Sequence, residues 1–311
     1  MTQLAPIALF VYNRPNHTRQ TVEALLLNCQ AKDSDLYVFS DAPKNEAARA
    51  EVEDVRDYIK QISGFKKVTI VKRDKNLGLA NSVIDGVTRL CEDYGKVIVL
   101  EDDIQTSQHF LSFMNDALTL YENDDLVCSV SGYMFPINFK TSHQTLMVDL
   151  TLSWGWATWS RAWKEFNSNG QNLKATLQEK NLIKRFDKTG PNSFIKMLSD
   201  QINKKNDSWL VRWHASNFIL KKVTLAPVIS LVRNTGIDGS GVHCASWKFN
   251  PYTTEISDSK VIVKRLDIHV DQANLKKLKF YFIKVKFLRY VNAIFRLLSR
   301  QSVYSKIKSG V

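Results

Sequence analysis

The sequence predicts an α/β fold in which a mainly parallel central sheet is flanked by helices and followed by a basic helical tail. In the first half of the chain, short apolar runs alternate with segments of helical spacing, which is typical of repeated strand–helix–strand units. After Asp271 the chain has no acidic residue, and Lys and Arg are interleaved with large apolar residues. A chain of 311 residues can bury a sizeable core, as one large domain or one domain with an appendage.

Four runs of apolar and β-branched residues have the composition of strands that are buried on both faces. They cover residues 6–12, 36–41, 67–73 and 96–102. The segments between them carry apolar residues at helical spacing, over residues 17–30, 46–63 and 78–95. Because such crossovers join parallel neighbours, these elements predict a parallel sheet with helices on both sides.

The second half adds further elements without a convincing linker before about residue 265. We predict a helix over 107–125 and a strand over 126–134. Residues 152–166 are rich in tryptophan, and residues 227–244 read as a strand that leads into a glycine-rich loop.

Composition excludes several classes of protein. The 44% hydrophobic content without low-complexity runs indicates a globular protein, and no stretch approaches the roughly 18 apolar residues of a membrane span. Residues 1–15 lack the features of a signal peptide, so we expect a cytoplasmic protein. Cys29, Cys91, Cys128 and Cys244 lack CxxC spacing, which favours reduced, structural thiols.

The positive charge is concentrated in one part of the chain. The formal net charge is +12, and the segment after Asp271 supplies +10 of it, which leaves the rest of the chain near +2. The basicity therefore belongs to the tail and not to the whole surface.

Polar residues follow three of the predicted strands, at the edge of the sheet where ligands bind in parallel α/β folds. They are Asn13-Arg14, Asp41 and Glu101-Asp102-Asp103. The chain has no GxxxxGK[ST] loop and no GxGxxG after the first strand, so a bound diphosphate would need another source of positive charge. Mg²⁺ or Mn²⁺ held by carboxylates would supply it, whereas the alternative is that the acids form a solvated turn.

Four segments carry a resemblance to a known family: "PIALFVYNRP", "YVFSDAP", "RDKNLGLANSVIDGV" and "VIVLEDDI". In this order and spacing they resemble the nucleotide-sugar half of GT-A glycosyltransferases, nearest to bacterial family 2-like enzymes and to the N-acetylglucosaminyltransferase I type. The resemblance covers residues 5–245. It implies a GT-A domain over residues 1–265, with a donor half to 134 and an acceptor half from 135, followed by a tail over 266–311.

The resemblance also implies donor and metal contacts. The acids of "EDD" match the DxD-type element, which implies Asp103 as the ligand of Mn²⁺ or Mg²⁺ and Glu101 and Asp102 as donor contacts. Arg14 and Asp41 match nucleoside-contacting positions, although polar residues are also ordinary where strands surface.

Two further positions have both a functional and a structural interpretation. Asn76 matches the loop-to-helix element under the donor, and its alternative is a polar turn before a helix. His243, in the glycine-rich loop, matches a metal or diphosphate ligand of some relatives, and its alternative is a structural histidine.

Transfer with inversion requires a base for the acceptor hydroxyl. The resemblance implies Asp207 in "NDSWLVRW", where a helix N-cap is an alternative role, with Asp200 as the second candidate. Trp154, Gly155 and Trp156 match an acceptor-site segment, although tryptophan is also a large core residue.

The tail over 275–308 has three interpretations. A basic helix with apolar residues can lie on an anionic membrane surface, which we favour. It can also pack on the body or on a second subunit, whereas nucleic-acid binding is disfavoured because apolar residues are so frequent.

Together these features predict a metal-dependent, inverting glycosyltransferase of bacterial surface-polysaccharide synthesis. We expect a UDP-sugar donor and a glycan or lipid-linked acceptor at the cytoplasmic membrane face, with no nucleic-acid partner. The alternatives are a nucleotide-sugar-forming nucleotidyltransferase and a non-catalytic carbohydrate- or membrane-binding protein.

Overall fold

The computed structural model describes residues 3–237 and 250–308, from residue 294 onward as backbone only. A mixed eight-stranded sheet lies at the centre, with helices packed on both faces. The predicted α/β fold is confirmed.

The first half forms a four-stranded parallel sheet in the order β3-β2-β1-β4. Its strands and the helices that connect them are β1 (Ile7–Val11), α1 (Pro15–Leu26), β2 (Asp35–Ser40), α2 (Arg49–Ile59), β3 (Lys67–Lys72), α3 (Gly78–Tyr94) and β4 (Lys96–Glu101). Proline at the first position of α1 suits the helix start, because its missing N–H would have no partner there. Gly95 ends α3 with φ 74°, a conformation that glycine adopts without strain.

The second half extends the sheet beyond β4. The elements are β5 (Ile104–Thr106), α4 (Phe110–Leu120), β6 (Val127–Ser131), β7 (Thr145–Val148), β8 (Trp156–Trp159), α5 (Ser160–Trp163), α6 (Gly170–Glu179), α7 (Ile183–Phe186), α8 (Phe194–Ile202), α9 (Trp209–Ile219), β9 (Val223–Pro227) and β10 (Val232–Asn234). β8 is antiparallel to both β4 and β6, and β9 and β7 complete the sheet. β5 and β10 form a separate antiparallel ribbon beside the end of β4.

The core has two layers because alternate residues of the strands face opposite sides of the sheet. Ile7, Leu9 and Val11 of β1 join the larger cluster, whereas Ala8 and Phe10 join the second. The tryptophans Trp156, Trp163, Trp209 and Trp213 all belong to the second cluster.

The tail forms helix α10 (Gln272–Lys308), and one face of it packs on the body. Leu278, Phe282 and Val285 are buried, and the ring centroid of Phe282 lies 5.2 Å from that of Phe135. Packing on the body, one of the three interpretations of the tail, therefore holds for this face. In the described part of the chain, no helix combines the length and apolar character needed to cross a bilayer.

Candidate functional site

The acidic triplet lies at the carboxyl edge of the parallel strands. Glu101 is the last residue of β4 and pairs with Phe10 of β1, so the two acids after it stand just beyond the sheet. The side chains of Asp102 and Asp103 are nearly inaccessible, with 3% and 5% of each residue exposed, while Glu101 is partly exposed. The solvated-turn alternative is therefore wrong for Asp102 and Asp103.

Arg14 is the counter-ion of these acids. It directly precedes α1, where its carbonyl accepts hydrogen bonds from the N–H and hydroxyl of Thr18, both at 2.9 Å. Its Nη2 atom forms ion pairs with Asp102 and, at 2.9 Å, with Oδ2 of Asp103. Burial alone would lower the pKa of Arg14, but the charges of Asp102 and Asp103 outweigh burial and raise it.

One arginine does not balance three carboxylates. Burial, together with the charges of Asp103 and Asp102, raises the pKa of Glu101 to about 8. Burial also raises the pKa of Asp102 to about 6, although the charge of Arg14 opposes this shift. The cluster therefore has room for another positive charge.

The residues present fit a divalent cation that is shared with a substrate. Oδ1 of Asp103 is buried and makes no hydrogen bond within the described chain, although buried carboxylate oxygens normally have partners. No group of three or more potential ligand residues that could hold a metal exists among the residues described. Mg²⁺ and Mn²⁺ sites often use one or two carboxylates and complete the shell with phosphate oxygens and water. His243 lies outside the described residues, so its predicted role stays a prediction.

Asp41 connects the end of β2 to the start of α3. Its carboxylate accepts hydrogen bonds from the N–H groups of Ala42, Leu77 and Gly78, each at 2.9 Å. Asn76 donates its side-chain N–H to the carbonyl of Ala42 at 2.6 Å. Asp41 and Asn76, which were predicted to contact the nucleotide-sugar donor, therefore both have a structural role at one loop junction. Their contact with the nucleotide-sugar stays a prediction.

A surface cleft of about 400 Å³ opens beside this junction, beyond the ends of β2 and β3. Both acidic and basic residues line it, with several polar groups among them. The lining residues are Ala42, Pro43, Asn45, Glu46, Arg49, Glu53, Arg56, Lys72, Arg73, Asp74, Lys75 and Asn76.

The structure brings Asp207 to the same junction. Its carboxylate is exposed, and Oδ2 lies 3.5 Å from the point where a Cβ atom of Gly78 would stand. The N-cap of α9 is Ser208, whose hydroxyl accepts a hydrogen bond from the N–H of Val211 at 3.3 Å. The capping alternative for Asp207 is therefore wrong. Asp200, the second candidate, forms an ion pair with Lys196 on α8.

The predicted acceptor segment divides into a core residue and a surface residue. Trp156 is only 1% exposed and stacks on Trp209 with 5.1 Å between ring centroids, so the structure favours the core alternative for Trp156. Trp154 is partly exposed, and its ring lies 4.5 Å from that of Tyr133 and 6.1 Å from that of Tyr252. Of the two rings, only that of Trp154 is accessible to a sugar.

Gly155 is a structural residue between these two tryptophans. Its φ is 57°, and a Cβ atom there would stand 2.9 Å from Cγ1 of Val232 in β10. Glycine at this position allows β8 to pass close to the β5–β10 ribbon. A direct contact of Gly155 with an acceptor stays a prediction.

The sequence placed Gly236 in the glycine-rich loop but did not predict its position beside the acids. β10 pairs with β5, and the N–H of Thr235 donates to the carbonyl of Asp103 at 2.8 Å. The next residue, Gly236, is held so close that its Cβ atom would stand 2.2 Å from Oδ2 of Asp103 and 2.8 Å from Nη1 of Arg14. The glycine-rich run had drawn attention to this loop, but nothing in the sequence indicated which glycine covers the acids.

These features define a class of protein. A parallel Rossmann-like sheet that continues into a mixed half, with acids beyond β4 at its ligand edge, is the arrangement of a GT-A glycosyltransferase.

Comparison with known proteins gives the family. The family model described as "Glycosyl transferase family 2" matches residues 7–179, from β1 to the end of α6. The chain belongs to glycosyl transferase family 2 and is a nucleotide-sugar-dependent glycosyltransferase. This confirms the family 2 part of the predicted resemblance, while the N-acetylglucosaminyltransferase I subtype stays a prediction.

Similar solved structures include two glycosyltransferases. A mannosyltransferase from Pyrobaculum calidifontis, solved with GDP-Man and Mn²⁺, is 12% identical with a TM-score of 0.41, over 69% of this chain and 69% of that one. S. aureus TarS is 12% identical with a TM-score of 0.36, over 53% of this chain and 30% of that one. No curated protein sequence matches significantly.

Proposed function

We propose that this glycosyltransferase moves a sugar from a nucleotide-sugar, a UDP-sugar in the first instance, to a glycan or lipid-linked acceptor with inversion and with the help of Mn²⁺ or Mg²⁺. The acceptor hydroxyl oxygen forms a bond to C1 of the sugar, while the bond from C1 to the diphosphate oxygen breaks and the nucleoside diphosphate leaves. We place this reaction in the synthesis of bacterial surface polysaccharide.

The observation that carries the proposal is the buried Oδ1 of Asp103, which has no hydrogen-bond partner among the described residues. Asp103 would hold the metal, and the donor diphosphate would complete the metal's ligands. When bound, the metal would supply positive charge to the leaving diphosphate. Arg14, which lies against both Asp102 and Asp103, would pair with the same diphosphate.

The strand order supports an extended donor along this edge. Asp41 follows β2 and Asp103 follows β4, with β1 between these strands. Two strand spacings separate the ends by about 10 Å, a distance that a nucleotide-sugar can span. Asp41 and Asn76 would contact the nucleoside, while Glu101 and Asp102 would face the ribose and the sugar.

Asp207 would take the proton from the acceptor hydroxyl. Its carboxylate makes no hydrogen bond or ion pair within the described residues and is open to solvent, as a base requires before an acceptor binds. Trp154 would offer its accessible ring to the acceptor.

Two substitutions test the assigned roles. Asp103→Asn keeps the size of the side chain but removes its charge, so we expect Mn²⁺-dependent turnover to fall by about two orders of magnitude or more.

Asp207→Asn should bind the donor as the parent protein does but lose transfer by roughly 10²- to 10⁴-fold. Initial rates with a nucleotide-sugar panel, together with donor titration by calorimetry, measure both effects.

Asp200→Asn is the matched control, because Asp200 lies on α8, where its carboxylate forms an ion pair with Lys196. It should leave transfer unchanged. Normal Mn²⁺-dependent transfer by the Asp103 variant would refute the metal assignment, and normal transfer by the Asp207 variant would refute the assignment of the base.

A further inference from the structure

Helix α10 has two apolar faces on opposite sides. Leu278, Phe282 and Val285 lie on the face that packs against the body. The opposite face exposes large apolar side chains to solvent: Phe280, Ile283, Phe287 and Tyr290. A helix that only packed on the body would need only the first of these faces.

The four exposed residues form a continuous stripe, which we call the outer stripe. They are spaced three, four and three residues apart, so they lie above one another along one side of the helix. Between 64% and 73% of each residue is exposed. The stripe runs about 15 Å along the helix axis, parallel to the surface that it would contact.

Lysines flank the outer stripe on both sides. Lys284 lies on one side and Lys279 and Lys286 on the other, with Lys276 near the N-terminal end, and all four are exposed. An apolar stripe with cations on both sides matches a membrane surface, because the apolar side chains enter the acyl-chain boundary and the lysines pair with anionic headgroups.

A second copy of the chain is a poorer match for this face. No acidic residue follows Asp271, so two copies of the helix in contact would place lysines against lysines. Like charges at close range repel each other, and this repulsion would oppose the gain from burying the stripe.

We propose that the outer stripe and its four flanking lysines are a membrane-docking surface, which inserts Phe280, Ile283, Phe287 and Tyr290 into the headgroup region of an anionic lipid layer. The helix lies flat on the membrane, with its outer face on the lipid and its inner face packed against the body of the enzyme.

This surface rests on the proposed function, because its purpose would be to serve the transfer of sugar to a lipid-linked acceptor. On its inner side α10 contacts Phe135 through Phe282 and Tyr252 through Arg289, whose Nη2 donates to the Tyr252 hydroxyl at 2.7 Å. Tyr252 is also a neighbour of Trp154, the ring assigned to the acceptor. Docking through α10 would therefore hold the acceptor region close to the lipid layer in which a lipid-linked acceptor resides.

The test is co-sedimentation of the full chain with vesicles of equal parts phosphatidylcholine and phosphatidylglycerol, and with pure phosphatidylcholine as comparison. We expect binding to the anionic vesicles that weakens as salt is added. Phe280→Ser with Phe287→Ser should lower the partition coefficient about tenfold or more. Neutralising the four lysines in the variant K276Q/K279Q/K284Q/K286Q should cause a comparable loss and weaken the salt dependence.

Matched controls carry the same kinds of change elsewhere on the surface. Leu27→Ser with Ile262→Ser removes two other exposed apolar side chains. Four exposed lysines outside the tail are neutralised in K32Q/K66Q/K180Q/K205Q. Both controls should bind vesicles as the parent protein does.

Failure of the parent to bind anionic vesicles, or unchanged binding by the Phe280/Phe287 variant, would overturn the proposal. So would a dimer in analytical ultracentrifugation that this variant abolishes, because that result assigns the stripe to a second copy. Vesicle binding is measured without donor or acceptor, so its outcome is independent of whether sugar transfer occurs as proposed.

Discussion

Gly236 is a residue at which one added methyl group reaches the charged cluster. A Cβ atom there would stand 2.2 Å from Oδ2 of Asp103 and 2.8 Å from Nη1 of Arg14. We predict that Gly236→Ala pushes both side chains from their positions and lowers kcat/KM by about tenfold or more, because small displacements of catalytic groups are costly. Steady-state kinetics at saturating Mn²⁺ measure the effect.

Gly95→Ala is the control for an effect on folding. Gly95 has φ 74° at the end of α3, and its Cβ atom would meet nothing within 4 Å. This variant should lose about 1 kcal/mol of unfolding free energy and keep its kcat/KM. If Gly236→Ala retained full activity, Gly236 would not constrain the acids.

His214 gives the protein a pH-dependent stability that is separate from the acidic site. It is buried among Phe186, Phe194 and Phe218, and burial lowers its pKa to about 3. Its Nδ1 atom accepts a hydrogen bond from the N–H of Thr151 at 3.3 Å, which fits the neutral ring. An unfolded histidine titrates near pKa 6.5, so below that pH the unfolded state binds a proton that the folded state does not.

The folded state therefore loses stability relative to the unfolded state as pH falls. The contribution of His214 to stability is fully present above about pH 6.5 and is lost as pH falls toward 3, by up to about 1.4 kcal/mol per pH unit. We predict that urea unfolding of His214→Gln shows a shallower loss of stability between about pH 6 and pH 4 than the parent protein does. Carboxylates titrate in both proteins, so the difference between the two slopes isolates the histidine. Equal slopes would contradict the prediction.

At the scale of elements, β1, β2 and β4 could be predicted because each is an apolar run that is largely buried on both faces. β1, for example, is "IALFV", with all five residues buried. The prediction of burial on both faces was wrong for β3, which lies at the edge of the sheet and is partly exposed. The carboxyl ends of the strands had to meet at one edge, so Arg14, Asp41 and the acids were predicted to share a site, and the ion pairs of Arg14 are consistent with this.

The second half could not be predicted to the same extent. β5 has three residues and pairs with β10, more than a hundred positions away, and no local pattern encodes such a pairing. The sequence therefore predicted a helix over 107–125 but no strand before it, and the helix α4 begins only at Phe110. Trp154 and Trp156 lie two residues apart, yet only the tertiary packing decides that Trp156 enters the core.

Helix α10 allows a matched comparison of its two faces. Phe282 is 3% exposed and packs on Phe135, whereas Phe280, two residues earlier, is 73% exposed. We predict that Phe282→Ala lowers the unfolding free energy by about 3 kcal/mol or more, because it opens a cavity under the helix. Phe280→Ala should change it by less than about 0.5 kcal/mol. Denaturant unfolding of both variants in the absence of lipid measures the difference, and equal losses would contradict the packing.

This packing also changes how the tail should be tested. Removal of residues 272–311 would take away Leu278, Phe282 and Val285 and expose the body surface that they cover. Fully burying such a side chain contributes about 2 kcal/mol, so a truncated chain would lose stability as well as any membrane contact. Point substitutions on the outer stripe separate the two effects.

At the scale of the whole molecule, charge is divided between an acidic site and a basic helix. The site holds Glu101, Asp102 and Asp103 against one arginine, while the tail supplies +10 of the net +12. The net positive charge therefore does not predict how the site itself interacts with ions. Anionic lipid and a divalent cation can each be attracted to a different part of the same chain.

Metal and nucleotide should consequently stabilise the protein together more than they do separately. Oδ2 of Asp103 already pairs with Arg14 at 2.9 Å, which leaves Oδ1 as the oxygen with no partner in the described part of the chain, so Mn²⁺ alone should bind weakly. A nucleoside diphosphate supplies phosphate oxygens to the metal and can form an ion pair with Arg14. Each ligand should therefore strengthen the binding of the other.

We predict that Mn²⁺ with a nucleoside diphosphate raises Tm by several degrees more than the sum of the separate shifts. At one hundred times Kd the linkage contributes about 2.7 kcal/mol, which corresponds to roughly 4 °C for a chain of 311 residues. Thermal denaturation with each ligand and with both measures the shifts, and Asp103→Asn should reduce them to the sum of two independent effects. Additive shifts in the parent protein would show that metal and diphosphate do not share a site at Asp103.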